Sequence, residues 1–252
     1  MRSSRRSRSS GGLRVLASLV IAALIGTASP AFAQEDNDPV PVETDPPPGS
    51  VALTFDDGPF EVLTPIILEI LDRYGIKATF FISTYRLRYN TSLIDEIVAA
   101  GHSVQTHGHE HRSLIGLNEQ EVLEDLRRSI NLIVGAGAPA PRCLRPPYGH
   151  SNDVVRGVAK KLGLEIVLWT HNSRDYSLQE PEGVIDATLD GLAPGDVVLM
   201  HDLWGEVHEE ALPVIIETAL RRGIGFASIC MPPVVRSVEP WFGRRVHKIS
   251  RL

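Results

Sequence analysis

An α/β fold closing into a distorted, TIM-like (β/α) barrel of about seven parallel strands is predicted by three observations. Short apolar runs alternate with amphipathic helical patterns from Val51 to Ile229, and such alternation calls for parallel strands joined by right-handed crossovers. Gly75, Gly101, Gly135, Gly163 and Gly223 each follow a helical pattern, as C-terminal stops do. Reactive side chains gather where the apolar runs end, and parallel α/β sheets carry their chemistry at that rim. Seven strands suit a closed or nearly closed sheet, with an open doubly wound sheet as the competing arrangement.

The chain opens with a segment that does not belong to the fold. Arg2, Arg5, Arg6, Arg8 and Arg14 form a basic stretch, Leu16 to Ile25 is apolar, and Ala31-Phe32-Ala33 is a small-x-small cleavage signal. Residues 1–33 therefore read as an export signal, the alternative being an uncleaved anchor that is short for a full span. Without those five arginines the formal charge moves from −6 to −11. An acidic body argues against nucleic acid and against anionic lipid as partners. Residues 34–50 are acidic and proline-rich and read as an extended linker.

The catalytic domain is expected over residues 51–233. Its candidate strands are Val51–Phe55, Ala78–Ile82, Ser103–Thr106, Cys143–Arg145, Glu165–Thr170, Val197–Met200 and Gly225–Ile229. Helical patterns fall at Pro65–Tyr74, Leu93–Ala100, Glu119–Val134, Asn152–Leu162, Pro181–Leu192 and Glu209–Arg222. The third has the clearest start, since Asn118 followed by Glu121 is a capping box. Residues 234–252 form a tail that either packs back through Trp241 and Phe242 or stays loose. Cys143 and Cys230 could form one disulfide in an exported chain. Two buried thiols are the alternative, because spacing does not supply the Cα separation a disulfide needs.

The first strand ends in Asp56-Asp57-Gly58-Pro59. Successive strand residues face opposite sides, so two carboxylates serve one site only where the strand is already turning. Alone, this is an ordinary surface turn. The third strand ends in His107-Gly108-His109-Glu110-His111. Extended, His107 and His111 would stand about 13 Å apart, whereas a helical turn would bring them to about 5–6 Å. With Asp57 they would make a two-His, one-carboxylate set that leaves a position for water. The fourth strand ends in Arg145-Pro146-Pro147-Tyr148-Gly149, whose rigid prolines could fix a guanidinium against Asp56. The sixth delivers His201 to the sheet edge behind four apolar residues, a placement suited to general acid catalysis. Asp175 lies beyond the fifth.

With these motifs in order, residues Val51 to Ile229 resemble the polysaccharide deacetylases of carbohydrate esterase family four, the nodulation-deacetylase-like group. Thr54-Phe55-Asp56-Asp57-Gly58 is similar to the first motif of that family, His107–His111 to the second, Arg145–Gly149 to the third and Leu199-Met200-His201 to the fifth. The resemblance implies hydrolysis of carbon–nitrogen bonds outside peptides, namely acetyl groups on sugars, with zinc or a related divalent ion. It implies Asp57, His107 and His111 as metal ligands, and Asp56 as the base on a metal-activated water. His201 would be the acid, Arg145 would orient Asp56, and Asp175 would tune His201. Tyr148 and Leu199 would face the oxyanion and substrate. An acetylated polysaccharide would be the partner of a monomer that is secreted or associated with the cell wall. An acetyl-xylan-type esterase and a non-catalytic sugar-binding relative are the rival readings. The fourth motif departs from its pattern: Asn172 stands for Asp and Tyr176 for Trp, which puts the acetyl pocket's shape in question.

Overall fold

The computed structural model describes residues 44–231, apart from Gln179, Trp204 and the side chain of Glu206. The expected export signal, most of the linker and the C-terminal tail lie outside the described residues. Eight short strands all pair in parallel: β1 (Ser50–Asp56), β2 (Thr79–Ile82), β3 (Ser103–Thr106), β4 (Cys143–Leu144), β5 (Glu165–Ile166), β6 (His171–Asn172), β7 (Val197–His201) and β8 (Gly225–Phe226). Their order is β5-β4-β3-β2-β1-β7-β6, with β8 against the start of β1. Ser50, expected in the linker, is the first residue of β1.

The expected fifth strand, Glu165–Thr170, stops after Ile166, and a separate strand that was not expected, β6, begins just beyond its end at His171; the two lie at opposite ends of the sheet. β5 pairs with β4 at one end of the order, and β6 pairs with β7 at the other. Between them, Val167 N–H donates to Leu144 O at 3.0 Å and Thr170 N–H to Val197 O at 3.0 Å. One extended segment thus passes from one end of the sheet to the other, curling it into a distorted barrel. The carbonyls of Val167 and Leu168 accept from Arg145 Nε at 3.2 Å and Nη2 at 3.0 Å, so a guanidinium satisfies them inside the barrel.

Helices α1 (Leu63–Arg73), α2 (Ser92–Ala99), α3 (Glu119–Gly135), α4 (Asp153–Lys161), α5 (Pro181–Leu189) and α6 (Gly205–Arg221) pack outside. All seven residues of β1 are buried, as expected for a parallel strand covered on both faces. Val51, Leu53 and Phe55 join the outer core with residues of α1, α2, α5 and α6, while Ala52 packs with Phe81, Val167, Val197 and Ile229. The period-2 alternation therefore turns Thr54 and Asp56 inward with Ala52. The capping box at Asn118 is present: its Oδ1 accepts Glu121 N–H at 3.1 Å, and Glu121 Oε2 accepts Asn118 N–H at 2.8 Å. Gly135 is not a stop; it is still helical, and the left-handed position falls on Gly137 at φ 94°. α6 begins four residues before its expected start and runs through Pro213, because Ala211, Leu212, Ile215, Ile216 and Ala219 are all buried. Tertiary packing there overrides the proline's local cost.

Cys143 and Cys230 form a disulfide with Cα atoms 6.0 Å apart, which settles the alternative in favour of the bond. His102, at the entry to β3, accepts Ala78 N–H on Nδ1 at 3.1 Å and meets Phe80 edge-on at 5.6 Å. Burial, helped by the Lys77 charge and opposed by Asp72, lowers its pKa to about 4. A histidine kept neutral this way contributes stability that is present above its unfolded value and lost as pH falls through the folded one. The loss should run from about 6.5 down to about 4 and approach 3 kcal/mol. His102→Asn, which keeps an acceptor, should flatten melting temperature against pH in that window; an unchanged slope counts against the assignment.

Candidate active site

β1 ends at Asp56, and Asp57 adopts φ 76°, a left-handed turn that breaks the strand alternation. Both carboxylates can therefore address the barrel mouth. The next residue must be glycine: a Cβ on Gly58 would lie 2.2 Å from Asp202 Oδ2. Asp202 is itself buried, accepts Thr64 Oγ1–H at 2.6 Å and donates its backbone N–H to Asp56 O at 2.8 Å. Burial pushes the Asp202 pKa up to about 7, against the pull of the Thr64 hydrogen bond and the His208 and Arg86 charges.

His107 and His111 converge, but not on the expected helical turn. The segment is a bend, with Gly108 at φ 80° and His111 at φ 50°, and the two rings stand 5.1 Å apart. Helix α3 pins the bend: Asp125 Oδ1 accepts His109 N–H at 2.8 Å, and Ser129 Oγ–H donates to Gly108 O at 3.2 Å. A Cβ on Gly108 would crowd Asp125 Oδ1 at 3.1 Å. His109 turns to Thr84 Oγ1 at 2.9 Å and stays out of the cluster.

His107 Nδ1 lies 2.7 Å from Arg145 O. A carbonyl only accepts, so Nδ1 carries the proton and Nε2 keeps its lone pair, 3.5 Å from Asp57 Oδ1. His111 Nε2 is 3.0 Å from the same oxygen. Burial lowers the His107 pKa, opposed by the charges of Asp56 and Asp57. For Asp57 burial works upward, but the His111 hydrogen bond and the His107, His111 and His201 charges outweigh it, and the pKa falls. A carboxylate and two imidazoles, with ligand atoms within 4.8 Å of one another, suit a divalent ion.

Arg145 is wholly buried and meets Asp56 Oδ1 through Nη1 at 2.7 Å, while the same nitrogen donates to Thr54 Oγ1 at 2.7 Å. Its guanidinium also stacks 4.1 Å from the Phe81 ring centre. Tyr148 is half-exposed at φ 62°, with its ring edge-on to His111 at 4.9 Å.

On the neighbouring strand, His201 is the direct partner of Asp56. Leu199, two residues earlier on the same strand face, is buried. His201 Nδ1–H donates to Asp175 Oδ1 at 2.8 Å, and its backbone N–H donates to Oδ2 at 2.6 Å. Burial works to lower the His201 pKa, but the Asp175 hydrogen bond and the charges of Asp175, Asp56 and Asp57 prevail and raise it. Tyr176, where tryptophan is usual, places its ring edge-on to His201 at 5.6 Å. Asn172 Oδ1 accepts Arg174 N–H at 2.8 Å, closing the turn before Asp175.

The barrel mouth thus assembles Asp57, His107 and His111, with Asp56 on Arg145 and His201 on Asp175 beside them. Sequence reasoning missed Asp202 and His208. The expected last helix began at Glu209, one residue beyond His208, but the residue is buried within α6, with Nε2 3.2 Å from Asp175 Oδ2. The signal available was a second histidine seven residues beyond the strand-end one, which has no meaning until α6 is seen to begin at Gly205.

Fold and site define a class: a parallel α/β barrel with a candidate divalent-metal centre at its C-terminal rim. The polysaccharide deacetylase family model matches residues 43–167. A chitooligosaccharide deacetylase of Sinorhizobium fredii is 35% identical over 154 residues, covering 61% of this chain and 72% of that protein. The chain belongs to the polysaccharide deacetylase family. It is also 34% identical over 153 residues to a peptidoglycan-N-acetylglucosamine deacetylase of Listeria monocytogenes, a match covering 61% of this chain and 32% of that protein. The chain thus spans about a third of that relative's length. Among solved structures, a family 4 carbohydrate esterase from Streptomyces lividans in complex with acetate superposes with a TM-score of 0.67 at 34% identity, covering 71% of this chain and 91% of that one.

Proposed function

We propose that the chain is an exported, metal-dependent deacetylase that removes N-acetyl groups from N-acetylglucosamine-containing polymers, peptidoglycan or chitin oligomers. The cluster of Asp57, His107 and His111 carries this reading. The relatives named for peptidoglycan and chitooligosaccharide deacetylation support the substrate class. The disulfide supports an oxidising compartment and hence action outside the cytoplasm, secreted or at the cell wall. Among the described residues, no helix is long and apolar enough to cross a membrane.

Zinc or a related divalent ion held by the three ligands would supply Lewis acidity for the acetyl carbonyl and for water. Asp56, braced through Oδ1 by Arg145, takes the proton of the attacking water on Oδ2. The Tyr148 N–H donates to the developing oxyanion, and Leu199 walls the acetyl side of the mouth. His201, its Nδ1–H held by Asp175, gives the Nε2 proton to the leaving amine, and its raised pKa keeps that proton available near neutrality. The same groups would serve an ester, and the likeness to the Streptomyces lividans esterase supports O-deacetylation as a second reading.

The test is acetate release by the purified chain from N-acetylglucosamine oligomers, peptidoglycan and acetylated xylan. Chelation should abolish release and added zinc restore it, with the sugar amides favoured over xylan. Release that survives chelation sinks the metal role, and a preference for xylan selects the esterase.

A further inference from the structure

His208 takes no step in that scheme, yet it grips the carboxylate on which His201 depends. The side chains of His208 and Asp175 are wholly buried, with Nε2 3.2 Å from Oδ2. Oδ2 also receives the His201 backbone N–H at 2.6 Å, and Oδ1 the His201 Nδ1–H at 2.8 Å. Asp175 follows a turn whose preceding residue, Arg174, sits at φ 58°. A carboxylate's last torsion is broad and roughly two-fold, so its plane is not fixed by local preference. Both His201 bonds come from one residue on one strand. His208 comes from α6, a different element, and its contact ties Oδ2 to a second part of the fold. Burial alone would raise the Asp175 pKa, but the His201 hydrogen bond and the His201 and His208 imidazoles beside it pull it well below the usual carboxylate range. Phe55, with its ring centre 6.4 Å from that of His208, packs beside the imidazole, and the Asp202 carboxylate is close enough to feel its charge.

We propose that His208 is a positioning residue that orients Asp175, and through Asp175 aims His201 Nε2 at the leaving group. The inference rests on His201 acting as the acid of the proposed deacetylase. It predicts a loss confined to the proton-transfer step, with metal and substrate binding intact.

The experiment compares His208→Leu, His208→Asn and His208→Gln in the full, zinc-loaded chain, on whichever polymer the wild-type protein deacetylates. Leu removes the polar contact at similar volume, Asn falls short of Oδ2, and Gln places a donor near the imidazole Nε2. Leu and Asn should lower kcat by about 10- to 100-fold, taking as scale the loss of an outer-shell partner from a metal-ligating histidine. KM and zinc affinity should stay at wild-type values, and Gln should restore most of kcat. The Nδ1–H proton resonance of His201, visible without turnover, should persist in Gln and broaden in Asn, so the comparison stands even where Leu does not fold. Wild-type kcat in Leu or Asn overturns the inference, as does a Gln variant as slow as Asn, which would mean packing alone. A wild-type protein that releases no acetate brings down the deacetylase reading, and this inference with it.

Discussion

Asp56→Asn should abolish acetate release while leaving the metal in place. Asp56 is buried on the inner face of β1, and Arg145 engages only Oδ1. An amide keeps the volume but takes no proton, so the rate should fall by about 10²- to 10⁴-fold, the usual worth of a positioned base. Asp56 is not among the three clustered ligands, so zinc stoichiometry should stay as in the wild type. The substitution should also cost stability. Burial lowers the Arg145 pKa and the Asp56 charge and hydrogen bond support it, so removing the carboxylate strands a guanidinium that is wholly buried. Breaking a buried pair from one side costs about 3–5 kcal/mol. Retained fold and metal with lost turnover is the expected pattern; a variant that loses zinc together with activity would make Asp56 a ligand, not a base.

Removing the Cys143–Cys230 bond should lower the melting temperature more than any surface change, and leave the site competent at room temperature. The bond joins β4 to the segment after β8 across a sequence separation of 87 residues. Closing a loop of that length in the unfolded chain is worth about 4.6 kcal/mol in the chain-entropy model. At about 2–4 °C per kcal/mol for a domain of this size, the drop should be about 9–18 °C. The native geometry has other support. Gln105 Nε2–H donates to Cys230 O at 3.0 Å, and its Oε1 accepts the Cys143 N–H at 2.8 Å. Thr79 Oγ1 is bound to the Ile229 backbone on both its donor and acceptor sides. Calorimetry of the Cys143→Ala, Cys230→Ala protein against the oxidised wild type checks this. A melting point within a degree or two would mean that these hydrogen bonds alone hold the barrel base.

What the sequence determined by itself is local. Strand and helix positions follow from periods of 2 and 3.6, and the Asn118–Glu121 cap from groups three residues apart, so both were legible. The rim placement of Asp56, Asp57, His107, His111, Arg145 and His201 was legible too, because parallel strands bring all their carboxyl ends to one side. The candidate ligands Asp57, His107 and His111 could be singled out from the sequence, but the geometry that brings them together could not. A left-handed Asp57 and a bend held by Asp125 and Ser129 of α3 depend on contacts far along the chain. The early end of the expected Glu165–Thr170 strand at Ile166, and the separate β6 at His171–Asn172, were decided by pairing with β4 on one side and β7 on the other, and by Arg145 satisfying the carbonyls between them. The disulfide needed a Cα separation, and His208 needed α6 to begin at Gly205. In each case the deciding partner lies outside the window over which period and capping act, so only the folded chain could supply it.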